Sequence, residues 1–223
     1  MPTLNDRLAT MREKAATMLK PEVARLLERH ISELRSAGAT NHPLKAGDLM
    51  PAFALQDLDG NRVSSSELIA RGPLVVSFYR GTWCPFCNEE LKALNDSYEH
   101  FRRLGASLVV ITPQSAGSAS AYRTEHEIAF PMLVDPNAGV AERFGLAYSF
   151  PAYLNDLYRN VFRNDLARIN AAGTWRLPIP ARYVIDRNGT IVDAEVNADY
   201  RYRPDPEETL AAITALTFSA SSA

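Results

Sequence analysis

The chain has 223 residues, 46% hydrophobic and 22% charged, with 24 Lys and Arg against 26 Asp and Glu for a formal charge of -2. This is ordinary globular composition, long enough for one filled domain with additions, and its balanced charge offers no large basic surface for nucleic acid. No window approaches the roughly 18 uninterrupted apolar residues of a membrane-crossing helix. Met1-Pro2-Thr3-Leu4-Asn5-Asp6-Arg7 carries an acid with no apolar run behind it, so neither a membrane nor a secretory route is expected, and the expected location is cytoplasmic.

Residues 1–44 predict a helical extension. Leu4, Leu8, Met11, Ala15 and Met18 share one helix face and Val23, Leu27, Ile31 and Leu34 another, with Pro21 in a first turn and Gly38 as a stop. Too short and too sparsely apolar to bury a core alone, the extension reads as a packing or oligomerisation arm. From Gly47 the pattern changes to short strands around Asp59-Gly60, a hairpin, followed by Ser64-Ser65-Ser66-Glu67 as a capping box. Leu74 to Tyr79 is apolar on both faces, as a central parallel strand is.

A long helix is expected from about Cys84 to Gly105, then a buried strand at Ser107–Ile111, a helix near Ser118–Glu127, a strand at Phe130–Val134 and a short helix over Asn137–Phe144. An aromatic-rich insertion spans about 146–178, its Tyr148, Phe150, Tyr153, Tyr158 and Phe162 suited equally to a lid, a homodimer contact or packing on its own domain. A hairpin around Arg187-Asn188-Gly189 and a final helix from Asp205 to Leu216 complete a domain over 45–218. That order predicts an α/β fold with a central mixed sheet flanked by helices. In such sheets reactive groups gather at the carboxyl ends of the strands, where Tyr79 runs into the Cys84 turn.

The two cysteines of the chain, Cys84 and Cys87, enclose a loop too short to staple anything. Zinc needs about four ligands, and His30, His42, His100 and His126 show no ligand spacing, so no metal or other cofactor is expected. Redox chemistry is the better reading, because a helix N-terminus carries roughly half a positive charge and stabilises a thiolate. Cys84 falls at the N-cap with Pro85 at the first helical position, which makes it the more exposed sulfur. Trp83 and Phe86 are expected to shape and dry the site. Thr82 suits a loop turn or a bond to a bound oxygen. Glu89 and Glu90 read as solvated helix-face residues, His126 as exposed, and Arg201 and Arg203 as a surface strand end.

Three segments carry a resemblance: KAGDLMPAFALQDLDGNRVSSSEL from Lys45, VVSFYRGTWCPFCNEEL from Val75 and IPARYVIDRNGTIV from Ile179. Over about Lys45 to Leu216 the chain resembles the alkyl hydroperoxide reductase and thiol-specific antioxidant branch of the thioredoxin superfamily, in its CxxC-containing peroxiredoxin-like group. The resemblance implies a thioredoxin-like fold and reduction of hydroperoxides through a Cys84/Cys87 dithiol-disulfide cycle, regenerated by a thioredoxin-like dithiol reductant. Ordinary members carry Pro-x-x-x-Thr-x-x-Cys. Aligned on FYR, Cys87 matches the peroxidatic cysteine, Arg80 the proline, Cys84 the threonine and Pro180 the family arginine. Arg80 or Arg182 is then left to supply positive charge. Thioredoxin logic instead makes Cys84 the attacking sulfur and Pro180 a cis-proline facing the pair. Both routes end in the same disulfide, so a thioredoxin-like protein-disulfide oxidoreductase and a redox-sensing binding module stand as alternatives.

Overall fold

The computed structural model describes residues 2–220, with side chains described for 2–36 and 42–216. Helix α1 (Leu4–Met18) opens on a capping box in which Thr3 Oγ1 accepts from the Asp6 N–H and the Asp6 carboxylate accepts from the Thr3 N–H. Helix α2 (Pro21–Asn41) starts on the expected proline but runs through Gly38, ending where His42 turns left-handed at φ 44°. An interior glycine costs a helix only about 1 kcal/mol relative to alanine, too little to stop one. Met18, expected in the apolar stripe of α1, is 81% exposed.

Strands β1 (Ala54–Asp57) and β2 (Arg62–Ser64) form the hairpin, its turn held by the Asp57 carboxylate on the N–H groups of Asp59 and Asn61. Helix α3 (Ser65–Arg71) follows without the capping box. The hydroxyls that would close it are engaged elsewhere: Ser64 pairs with Ser66 at 2.8 Å, and Ser65 accepts from the Phe53 N–H at 2.9 Å. Strand β3 (Leu74–Phe78) is buried along its whole length.

The single long helix expected after Cys84 is two, α4 (Pro85–Asp96) and α5 (Tyr98–Arg103), broken at Ser97. Asn95, Asp96 and Ser97 favour turns because their side chains compete for backbone groups. Beyond it lie β4 (Ser107–Thr112), α6 (Ala116–Glu125), β5 (Met132–Val134), a 3-10 turn and α7 (Gly139–Arg143). The insertion contributes β6 (Ala147–Ser149), α8 (Ala152–Asp156), a π-helical turn at Leu157–Val161, α9 (Leu166–Ile169) and β7 (Arg176–Pro178). The chain closes with β8 (Ala181–Ile185), β9 (Ile191–Val196) and α10 (Pro206–Ala220).

Seven strands form one mixed sheet in the order β2-β1-β5-β4-β3-β8-β9, with β3, β4 and β5 parallel and the flanking pairs antiparallel. Strands β6 and β7 form a separate small sheet. The insertion packs back on its own domain: Tyr148, Phe150, Leu154, Leu157, Tyr158 and Leu177 join the core on one side of the sheet. Leu4 and Leu8 of α1 and Ile31 of α2 join the core on the other side, together with both cysteines. Helix α1 packs on α4, where Arg7 pairs with Glu89 at 3.1 Å.

Candidate active site

Strand β3 leads through Tyr79 and Arg80 into a tight turn at Gly81, φ 147°, where a side chain would collide with the Trp83 indole. Gln114 braces the turn, its Oε1 accepting from the Thr82 N–H at 2.8 Å and its Nε2 donating to Thr82 Oγ1 at 2.9 Å. The turn delivers Cys84 to the N-cap of α4, its carbonyl accepting from the Asn88 N–H. One turn on, Cys87 lies behind it. Both are thiols and both are buried, with exposures of 2% and 0%.

Cys84 faces a cavity of about 480 Å³ roofed by α1 and α2 and walled by Trp83, Phe162, Tyr158 and Tyr200. Arg80 reaches its sulfur, Nη1 to Sγ at 4.0 Å, and donates through Nη2 to the Tyr158 hydroxyl at 3.1 Å. The guanidinium lies over the Tyr200 ring at 4.1 Å and the Trp83 ring at 4.9 Å. It is 1% exposed, and no carboxylate pairs with it among the described residues. Burial opposes ionisation of Cys84. The hydrogen bond from the Cys87 thiol, the charges of Arg80 and Arg203 and the Cys87 N–H outweigh it, bringing the thiol down to about 6.

Cys87 sits against a different cation. Arg203 Nη2 approaches its sulfur at 3.3 Å, while Arg203 Nε pairs with Glu90 Oε2 at 2.5 Å. Glu90 Oε1 also accepts from Arg182 Nη2 at 2.7 Å and from the Ser77 hydroxyl at 3.2 Å. Arg182 donates onward to Thr209 at 3.1 Å, and the Tyr200 and Tyr202 carbonyls accept from Arg203. Burial, the bond given to Cys84 and the charge of the Cys84 thiolate push the Cys87 thiol well above its ordinary value.

Several expectations are corrected here. Glu90 is 2% exposed, because Cys87, Glu90, Leu91 and Leu94 share the buried face of α4. Arg203 is a buried member of the same cluster, drawn inward by that carboxylate. No peptide bond among the described residues is cis, so Ile179–Pro180 is trans. The Ile179 N–H and the Pro180 carbonyl are both engaged in extended pairing, with Leu146 and Asn197. Pro180 lines a separate cleft of about 180 Å³ beside Arg203 and Glu195, away from the cavity in front of Cys84.

Among the remaining residues expected at the site, Pro85 is exposed at the start of α4 and Phe86 packs edge-on against Tyr200 at 5.8 Å. Trp83 meets Tyr158 edge-on at 5.6 Å. Thr82 is occupied by Gln114, and Arg182 connects to Cys87 only through Glu90 and Arg203; His126, expected to be exposed, is half-buried against the Tyr122 ring. Among the described residues no group of three His, Cys, Asp or Glu could hold a metal ion, and no helix is long and apolar enough to cross a membrane. Sequence reasoning did not bring Tyr200 or the roof helices to the site, and named Tyr158 only among the aromatics of an insertion suited to a lid, a dimer contact or packing. Glu90 was legible in principle, since it falls three residues after Cys87 within an apolar stripe.

Residues 46–194 match the AhpC/TSA family. The chain belongs to this family. Its relatives include the chloroplastic peroxiredoxin Q of Suaeda salsa, 29% identical across 74% of this chain and 65% of that protein. That of Oryza sativa subsp. japonica is 32% identical across 65% and 56%. The chain thus spans less than two thirds of the length of these relatives. The peroxiredoxin Q of Sedum lineare is 30% identical across 76% and 78%. In fold the chain resembles the crystal structure of peroxidoxin BcpB from Mycobacterium tuberculosis, with a TM-score of 0.61 and 22% identity over 77% of this chain and 97% of that one. The family match ends before Tyr200 and Arg203 and begins after α1 and α2, so part of the site's wall lies outside it.

Proposed function

We propose that the chain is a thiol-dependent peroxidase in which the Cys84 thiolate reduces hydroperoxides. The supporting observation is that Cys84, with a thiol lowered to about 6, faces the cavity beside Arg80, whereas Cys87 lies behind it. Cys84 attacks the peroxide, the O–O bond breaks, and the leaving alkoxide takes a proton as alcohol or water, leaving a Cys84 sulfenic acid. Cys87 then gives up its proton, its sulfur displaces the hydroxyl as water, and a Cys84–Cys87 disulfide forms. An external dithiol of thioredoxin type restores both thiols. Arg80 stabilises the attacking thiolate, and its position suits the negative charge that develops on the departing oxygen.

In this reading residues 1–44 cap the site and 45–218, with the insertion at 146–178, form the catalytic unit. Exposed apolar side chains at Met18 and Val161 offer contact to a second copy, which sedimentation velocity tests. A cytoplasmic location belongs to the same proposal and is tested by fractionation of the producing cell. A protein-disulfide oxidoreductase is favoured by Cys84 standing at an N-cap before an exposed proline. It is disfavoured by the roof, which leaves 2% of Cys84 accessible to a bulky protein disulfide.

Stopped-flow mixing of the reduced protein with hydrogen peroxide and an organic hydroperoxide tests the peroxidase. Oxidation at many times the rate of a free thiol supports it. A rate no faster than free thiol, together with reduction of insulin disulfides, gives the function to the alternative.

A further inference from the structure

The proposed peroxidase chemistry needs only a sulfur, a cation and a resolving thiol, yet Cys84 opens onto a chamber of about 480 Å³. That volume falls within the roughly 300–1,000 Å³ of sites that enclose a small organic molecule. Its floor is Cys84 and Arg80; Arg12, Asn164 and the Glu28–Arg201 ion pair also line it, and its apolar walls include Ala15 of α1, Leu19 at the end of that helix, Ala24 and Leu27 of α2, and Phe162 of the insertion. Hydrogen peroxide has no group that apolar walls could hold. An organic hydroperoxide has one, attached to the oxygens that must approach the sulfur.

Taking the peroxidase reading as its basis, we propose that α1 and α2 are the specificity-determining element of the enzyme: Ala15, Leu19, Ala24 and Leu27 enclose the apolar body of an uncharged, bulky organic hydroperoxide while its oxygens lie between Cys84 and Arg80. The small side chains at 15 and 24 leave the room, and the larger ones supply the apolar contact. These helices lie outside the segment that matches the family, so selectivity is an addition of this chain to the shared scaffold.

The test uses the full chain carrying Trp175→Phe, which leaves Trp83, on the cavity wall, as the one tryptophan of the two in the sequence. Titration with 2-phenyl-2-propanol, the alcohol product of cumene hydroperoxide, is expected to change Trp83 fluorescence saturably. Ala24→Phe should remove that change and lower the ratio of the cumene hydroperoxide to the hydrogen peroxide rate constant about tenfold, the scale of discrimination in an apolar pocket. Ala16→Phe, at an exposed position on the same wall, repeats the test should the first variant fold poorly. No alcohol binding, or an unchanged ratio with peroxide oxidation intact, overturns the pocket and leaves the peroxidase standing. Alcohol binding with no oxidation by any peroxide overturns the peroxidase reading and the substrate assignment with it.

Discussion

Arg80 and Arg203 each approach one of the two sulfurs, and their surroundings differ in a way that separates their roles. Arg203 shares Glu90 with Arg182, one carboxylate between two guanidiniums, so its charge is partly compensated whatever the state of Cys87. Arg80 is as deeply buried but has aromatic rings, a tyrosine hydroxyl and the Cys84 sulfur around it. A buried cation without a carboxylate favours ionisation of whatever acid it touches. The Cys84 side therefore has a cation with no carboxylate beside its sulfur, whereas on the Cys87 side a carboxylate is shared by the cations, and burial and the neighbouring Cys84 hold the Cys87 sulfur protonated.

Exchanging the sulfurs should break this comparison most completely. Cys84→Ser is expected to abolish rapid peroxide oxidation, whereas Cys87→Ser should complete the first step and accumulate a sulfenic acid that dimedone traps. The reverse result would assign the attack to Cys87. On the Cys87 side, Glu90→Gln removes the shared carboxylate from two buried arginines and should cost about 3–5 kcal/mol in urea unfolding, the scale for breaking a buried pair. A loss under about 1 kcal/mol would show that water or rearrangement satisfies both guanidiniums.

On the Cys84 side, Arg80→Met should move the thiol up toward the ordinary value near 8.5 and slow peroxide oxidation at pH 7 roughly tenfold or more. Thiolate absorbance against pH reads this directly. In the parent protein the oxidation rate should rise through about pH 6 and level off above it. The stability that the thiolate confers has the matching sign: because the folded value lies below the unfolded one, it is fully present above the ordinary thiol value and is lost as pH falls through about 6. The smallest effect is expected from Thr82→Val, which removes the hydroxyl bonded to Gln114 at the turn and should cost about 1 kcal/mol without moving the Cys84 titration.

Much of the fold was legible from local pattern. Unbroken apolar runs marked β3 and β4, Asp-Gly and Asn-Gly turns marked both hairpins, and Pro21 and Pro85 marked helix starts, because each signal acts within a few residues. The errors arose where a local signal met a stronger neighbour. Ser64 lost its cap to Ser66, Gly38 failed to stop a helix, and the long helix broke at Ser97 where turn-forming residues adjoin.

By itself the sequence determined the chemistry on offer: two thiols one helical turn apart at a helix start following a buried strand, on an α/β scaffold of the AhpC/TSA family. It could not decide which sulfur faces the cavity or which cation lies beside which sulfur. Arg203 lies 116 residues from Cys87 in the chain and 3.3 Å from it in space, and Glu90 lies 92 residues from Arg182. Charge and burial at a point depend on everything packed around it. Only the tertiary structure, by bringing Arg80 and Arg203 to the cysteine pair, made one thiol acidic, and by closing α1, α2 and the insertion over Cys84 gave it a chamber.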